Sequence, residues 1–192
     1  RSPWASDQDI DMLCEEILLS NGSVEEAYRR YGLTANRAGT YLAWFRAVKK
    51  KYSHKEPREI LADLIDETPG EEGKWFAAAK DAMLFEEAIA LANRTPTDHR
   101  TLTRAARDFA EKNHDFAVEA GMAALRTLVL GYGYDITGAD VWAAFSYTMK
   151  AAERQGSVEA TRQRIRNLVA SETFGERFVT KILGRDLGLS EK

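Results

Sequence analysis

Residues 74–92 read KWFAAAKDAMLFEEAIALA, and their spacing decides the fold class. Trp75, Ala78, Ala79 and Ala82 recur at intervals of three and four, and Phe85, Ala88, Ile89 and Ala92 resume the rhythm after a short break. Such a period lines apolar side chains along one face of a helix, whereas a half-buried strand alternates at every second residue. Sustained alternation is absent from the chain, and its β-branched residues are scattered rather than bunched into strand-like runs. The stretch reads as two helices and the protein as all-α.

Working outward, four Ser or Thr residues stand three before an acid, the pattern of a reciprocal helix start: Ser6 with Asp9, Ser23 with Glu26, Thr68 with Glu71, and Thr137 with Asp140. Pro69 occupies a first-turn position, where its missing N–H costs nothing. Together with the periodicity these signals predict helices at 7–20, 23–31, 34–51, 57–66, 69–82, 84–94, 98–112, 114–130, 138–155, 157–170 and 172–186. The break YSHKEPR at 52–58 predicts a hinge between an N-terminal helical unit, 1–56, and a helical array, 57–192. In GYGYDITGAD, 131–140, Gly131 or Gly133 is expected to end one helix in the left-handed conformation before Thr137 starts the next. The same stretch is not a phosphate loop, since no Lys-Ser or Lys-Thr follows it and no strand precedes it.

The array carries a loose repeat. Residues 74–92, 101–125 and 141–160 each give a helix, a short turn and an alanine-rich second helix, and the Glu-Ala marker recurs at Glu87, Glu119 and Glu159. Trp75, Ala78, Ala79, Ala82, Phe85 and Ala88 resemble the tetratricopeptide repeat, with Met83 where that family carries glycine and Pro96 as its closing proline. The resemblance implies antiparallel helical hairpins, stacked as an array or gathered as a bundle, and a concave surface that holds a peptide or partner helix. The segments GKWFAAAKDA, DHRTLTRAARDFA and GYGYDITGADVWAAF together resemble an uncharacterised bacterial family, which implies no activity.

Residues 23–45, SVEEAYRRYGLTANRAGTYLAWF, resemble the helix-turn-helix of bacterial transposases and regulators. Gly32 stands at the turn and Thr34 at the start of the second helix, although Tyr28 and the small Ala38 exchange the sizes usual at the helix contact. The likeness implies that Asn36, Arg37 and Thr40 face base edges, with Arg29, Arg30, Arg46, Lys49, Lys50 and Lys51 against phosphates. Packing of two helices without DNA explains the same pattern equally well. The aromatic residues Tyr41, Trp44, Phe45 and Tyr52 are expected in the core, because Tyr41, Trp44, Phe45 and Val48 share one helix face.

Charge is unevenly distributed. Residues 29–58 hold nine bases and one acid, a net +8, which leaves 18 basic and 29 acidic residues, a net -11, in the remainder. Such a segment suits an anionic partner, or a solvated helix face paired with acids of the same fold. A second basic run, Arg162, Arg164, Arg166, Arg177, Lys181 and Arg185, is expected to pair with the acidic remainder, the last three sharing one helix side.

Several classes are disfavoured. The single cysteine, Cys14, precludes an intramolecular disulfide, and His54, His99 and His114 lack partners at metal-ligand spacing, so neither metal nor cofactor is expected. Asp98 beside His99 and His114 beside Asp115 read as capping and solvation rather than catalysis, and no catalytic residue is assigned. No apolar run approaches the roughly 20 residues of a membrane span, and the start RSPWASDQD lacks a signal-peptide centre, so a cytoplasmic protein without membrane contact is expected. Starting at Arg1 suits a processed protein or a piece of a longer one. The expected function is a non-enzymatic interaction or scaffold module that binds a protein or peptide partner through the array. The alternative is a DNA-binding regulatory protein using the basic 29–58 segment. Oligomeric state cannot be read from the sequence.

Overall fold

The structure, a computed structural model, describes residues 6–189. It is all-α: eleven α-helices and no strand among the described residues, forming two compact units, Arg1–Leu84 and Phe85–Lys192. The expected hinge at 52–58 is therefore a turn within the first unit, where α4 (Pro57–Asp66) packs on α3 (Tyr41–Lys51) through buried Ile60, Leu61 and Leu64.

In the first unit, α1 (Asp7–Ser20) starts with the expected reciprocal cap, Ser6 accepting from the Asp9 N–H while Asp9 accepts from the Ser6 N–H. A short α2 (Val24–Ala27) runs into a π turn over Tyr28–Gly32, and Ser23 makes no side-chain cap. Gly32 is needed for close approach rather than for a left-handed turn: a Cβ there would lie 3.0 Å from the Tyr52 ring. Trp44, Phe45, Val48 and Tyr52 are buried as expected, joined by Trp75 and Phe76.

Three expected helices are corrected. The one placed at 34–51 begins instead at Tyr41, capped by Thr40, whose hydroxyl accepts from the Ala43 N–H. Tertiary contacts occupy the carbonyls that an earlier start would use. The Gln8 amide donates to Ala35 O at 3.4 Å and to Arg37 O at 2.8 Å, while the Trp44 indole N–H holds Leu33 O, just ahead of that start, at 2.8 Å. The helix placed at 69–82 is a 3-10 turn, Glu72–Trp75, followed by α5 (Phe76–Asp81), because the Thr68 hydroxyl donates to Leu64 O and accepts from the Trp75 indole instead of capping. The helix placed at 172–186 contracts to α11 (Phe178–Leu183). Arg177 adopts the left-handed conformation before it, and buried Glu172 accepts the Val179 and Thr180 N–H groups. Arg177, Lys181 and Arg185 consequently do not share one helix side.

The second unit comprises α6 (Phe85–Arg94), α7 (His99–Phe109), α8 (His114–Val129), α9 (Gly138–Gln155), α10 (Val158–Ala170) and α11. Thr137 and Asp140 form the expected reciprocal cap of α9, and Gly131 is left-handed after α8, as expected. At the centre is α8, which packs against α6, α7, α9, α10 and α11, while α7 also packs against α9. Its contact surface interleaves small buried residues, Ala117, Ala120, Gly121, Ala123 and Ala124, with larger ones, Phe116, Val118, Leu125, Leu128 and Val129. Gly121 meets Thr148 of α9 so closely that a Cβ would lie 2.9 Å from the Thr148 Cβ and 3.2 Å from its Cα.

Since the Thr148 backbone, not just its rotatable hydroxyl, stands in the way, Gly121→Ala tests this seam. The gain of about 1 kcal/mol in helix propensity is expected to be outweighed by an overpacking cost of up to about 3 kcal/mol. A lower melting temperature is the expected outcome by calorimetry, and an unchanged or raised one would contradict the packing described.

Candidate functional site

The residues expected to read DNA are engaged inside the first unit. Asn36 donates its side-chain amide to Glu15 at 2.7 Å and to Gly32 O at 2.8 Å. The Arg37 guanidinium lies 5.2 Å from the Trp44 ring centroid, and Thr40 caps α3. Three of the six flanking cations are paired as well. Arg30 meets Glu26 at 3.1 Å, Arg46 meets Asp81 at 2.5 Å, and Lys51 meets Glu15 at 2.5 Å. Glu15 is fully buried and also accepts from the Tyr52 hydroxyl at 2.6 Å, so its charge is met by one cation and two neutral donors. Burial pushes the Tyr52 hydroxyl up, and its hydrogen bond to Glu15 adds to this.

Arg29 lines a cavity of about 650 Å³ with Glu25, Glu26, Asp63, Asp66 and Glu67, an acidic setting that opposes phosphate. Lys49 lies 5.8 Å from the Phe45 ring centroid, and Lys50 is exposed. Of the nine bases in this segment Arg30, Arg46, Lys51 and Lys55 thus form ion pairs with local acids.

Among the described residues no group of three His, Cys, Asp or Glu side chains is placed to hold a metal ion. His54 sits 2.8 Å from Glu25, and His114 sits 2.6 Å from Ala110 O. Asp98 caps α7, accepting from the Thr101 N–H at 2.8 Å, and Asp115 accepts from Gln155. His99 differs: it is buried, neither ring nitrogen has a hydrogen-bond partner, and its Nε2 lies 3.7 Å from the Asp140 carboxylate. In the C-terminal basic run, Arg164 donates to both carboxylate oxygens of Glu119, at 2.7 and 2.9 Å, and Lys181 pairs with Glu176.

A site that the sequence reading did not single out lies between α7 and α9. A cavity of about 480 Å³ is lined by Arg100, Thr103, Arg104 and Arg107 of α7 and by Asp140, Ala143 and Tyr147 of α9. The three arginines fall at i, i+4 and i+7 on one face of α7, where like charges repel by a few tenths of a kcal/mol per pair. Arg100 reaches Asp140 at 3.4 Å and Asp135 O at 3.3 Å, and Arg107 reaches Asp108 at 2.8 Å. Among the described residues Arg104 faces no carboxylate at ion-pair distance; its Nε donates to Arg100 O. The stretch DHRTLTRAARDFA holds this spacing openly. Its opposite wall is not announced there, because Asp140 and Tyr147 are distant in sequence.

The geometry stands without a relative. No family model, curated protein or solved structure matches the chain. The bacterial-family, tetratricopeptide and helix-turn-helix likenesses therefore rest on sequence pattern alone. No helix among the described residues is long and apolar enough to cross a membrane.

Asp140 joins the α9 cap to this cavity. Burial pushes its carboxyl up, but hydrogen bonds from the Thr137 hydroxyl and backbone N–H, aided by Arg100, prevail and hold it down at about 2. An acid whose pKa is depressed on folding stabilises the native state above its unfolded value, near 3.9, and loses that contribution as the pH falls through the folded value. Thermal melts between pH 5 and about pH 2 are expected to show a steeper loss of stability in the native protein than in Asp140→Asn. At neutral pH that variant is expected to be less stable by about 1 kcal/mol. Parallel curves would show that Asp140 carries no such depressed titration.

Proposed function

We propose that the protein is a non-enzymatic helical module that binds a protein partner through the α7/α9 face of its second unit. The observation that carries this reading is the cavity between the two helices, with Arg100, Arg104 and Arg107 on one wall and Tyr147 on the other. It is supported by the packing order. The pairs α7/α8 and α9/α10 follow one another, with α7 on α9 and α8 on α10, as in a stacked, tetratricopeptide-like array. Met83 fits the same pattern, taking a left-handed conformation, φ 61°, at the position where that repeat carries glycine. A cytoplasmic setting suits the single free Cys14.

The alternative, DNA reading by 29–58, has less support, since Asn36, Arg37 and Thr40 are all occupied within the fold. Photocrosslinking tests the preferred reading. A benzophenone amino acid placed at Ala143 is expected to trap one discrete polypeptide in cells, whereas the same group at exposed Gln163 of α10 traps none. The adduct is expected to disappear in Arg104→Glu. Equal capture at both positions, or none at Ala143, would remove the α7/α9 face as the partner site.

A further inference from the structure

We infer that the α7/α9 cavity binds a phosphomonoester carried on the partner polypeptide. This deepens the proposed function and rests on it for the source of the phosphate, while the phosphate chemistry stands on the site alone. The decisive observation is Thr103. It is one of the cavity's lining residues and is 9% exposed, and its hydroxyl is buried with no hydrogen-bond partner, so a ligand meets it once the side chain turns about χ1. Other buried threonines within helices of this unit are satisfied: Thr127 donates to Ala123 O at 3.0 Å, Thr148 donates to Ala144 O at 2.6 Å, and Thr161 lies 3.1 Å from the Ser157 hydroxyl. A buried polar group without a partner is costly, and an acceptor or donor brought by a ligand relieves that cost.

The charges name the ligand class. The cavity holds three guanidinium groups and one carboxylate, Asp140, which also faces buried His99. Arg100 and Arg107 each already have an acid within reach, but Arg104 has none among the described residues. A phosphomonoester brings close to two negative charges and three acceptor oxygens, enough for Arg104, a second arginine and the Thr103 hydroxyl at once. A single carboxylate brings one charge and two oxygens and leaves part of that donor set unanswered.

The experiment is a titration of the full chain, read by side-chain Nε–H resonances of arginine and by calorimetry, with four probes: an alanine-rich peptide bearing one phosphoserine, the same peptide with serine, the same peptide with glutamate, and inorganic phosphate. The phosphopeptide is expected to shift the Arg104 and Arg100 signals and to bind about tenfold or more tightly than the serine and glutamate forms. Arg104→Gln is expected to weaken it by a similar factor, and Thr103→Val by a smaller but measurable one. Arg162→Gln, on α10 outside the cavity, is expected to leave it unchanged. Thermal melts of each variant separate lost binding from lost folding.

Phosphopeptide binding at these residues that clearly exceeds inorganic phosphate supports the inference. Equal binding of the two would keep the phosphate chemistry but reject the polypeptide source. Equal binding of the glutamate form, or binding indifferent to Arg104→Gln, would overturn the phosphate class itself. Failure here alongside successful crosslinking at Ala143 would leave the partner face standing without its phosphate.

Discussion

Helix α8 is buried on many sides because small contact positions alternate with large apolar ones. A helix surrounded by five others must meet them at short interaxial distances, and each larger side chain in place of a small one would push one of them away. Alanines and Gly121 remove that obstruction, and the Thr148 side chain fills the space that a Gly121 Cβ would take. The consequence reaches the surface. With α8 behind them, α7 and α9 lie side by side, and Arg100, Arg104 and Arg107 face Asp140 and Tyr147 across one cavity. A side-chain cluster spread over some 47 positions of sequence is thereby set by the packing of its two helices on a third.

Charge plays opposite parts in the two units. In the first, the basic segment serves the fold: Lys51, Tyr52 and Asn36 converge on Glu15, a carboxylate that would be prohibitive to bury alone. In the second, the arginines of α7 outnumber the acids that reach them, and the Thr103 hydroxyl between them is left open. Counting charges along the chain favoured the first group as a binding surface. Following each charge to its partner favours the second, because a cation already answered by a buried acid has little left to offer a ligand.

Much of the fold was legible, and for local reasons. The starts of α1 and α9 were read from Ser6 and Thr137, since a cap depends on residues within one turn. The buried face of Trp44, Phe45 and Val48 was legible from spacing alone. What failed depended on distant partners. Thr34 and Thr40 are equally good caps in sequence, and the choice of Thr40 follows from Gln8 claiming the Ala35 and Arg37 carbonyls between them. Glu172 stands six residues before α11 and fixes its start from outside, which no local pattern announces. The candidate site was half legible: the arginine spacing on α7 is plain, but its opposite wall, and the solitary Thr103 hydroxyl, exist only once α9 is in place.

The claim on which the rest stands is that α8 holds α7 and α9 together as one face. Native-state hydrogen exchange resolved along the chain measures this most directly, because amides open only as fast as the packing around them allows. The slowest exchange is expected within Ala117–Val129 of α8, with the α9 amides around Thr148 close behind and the amides of α1 and α11 clearly faster. Exchange in α8 as rapid as in α1 or α11 would contradict the claim, since a helix that opens so readily could not fix the arginines of α7 against α9.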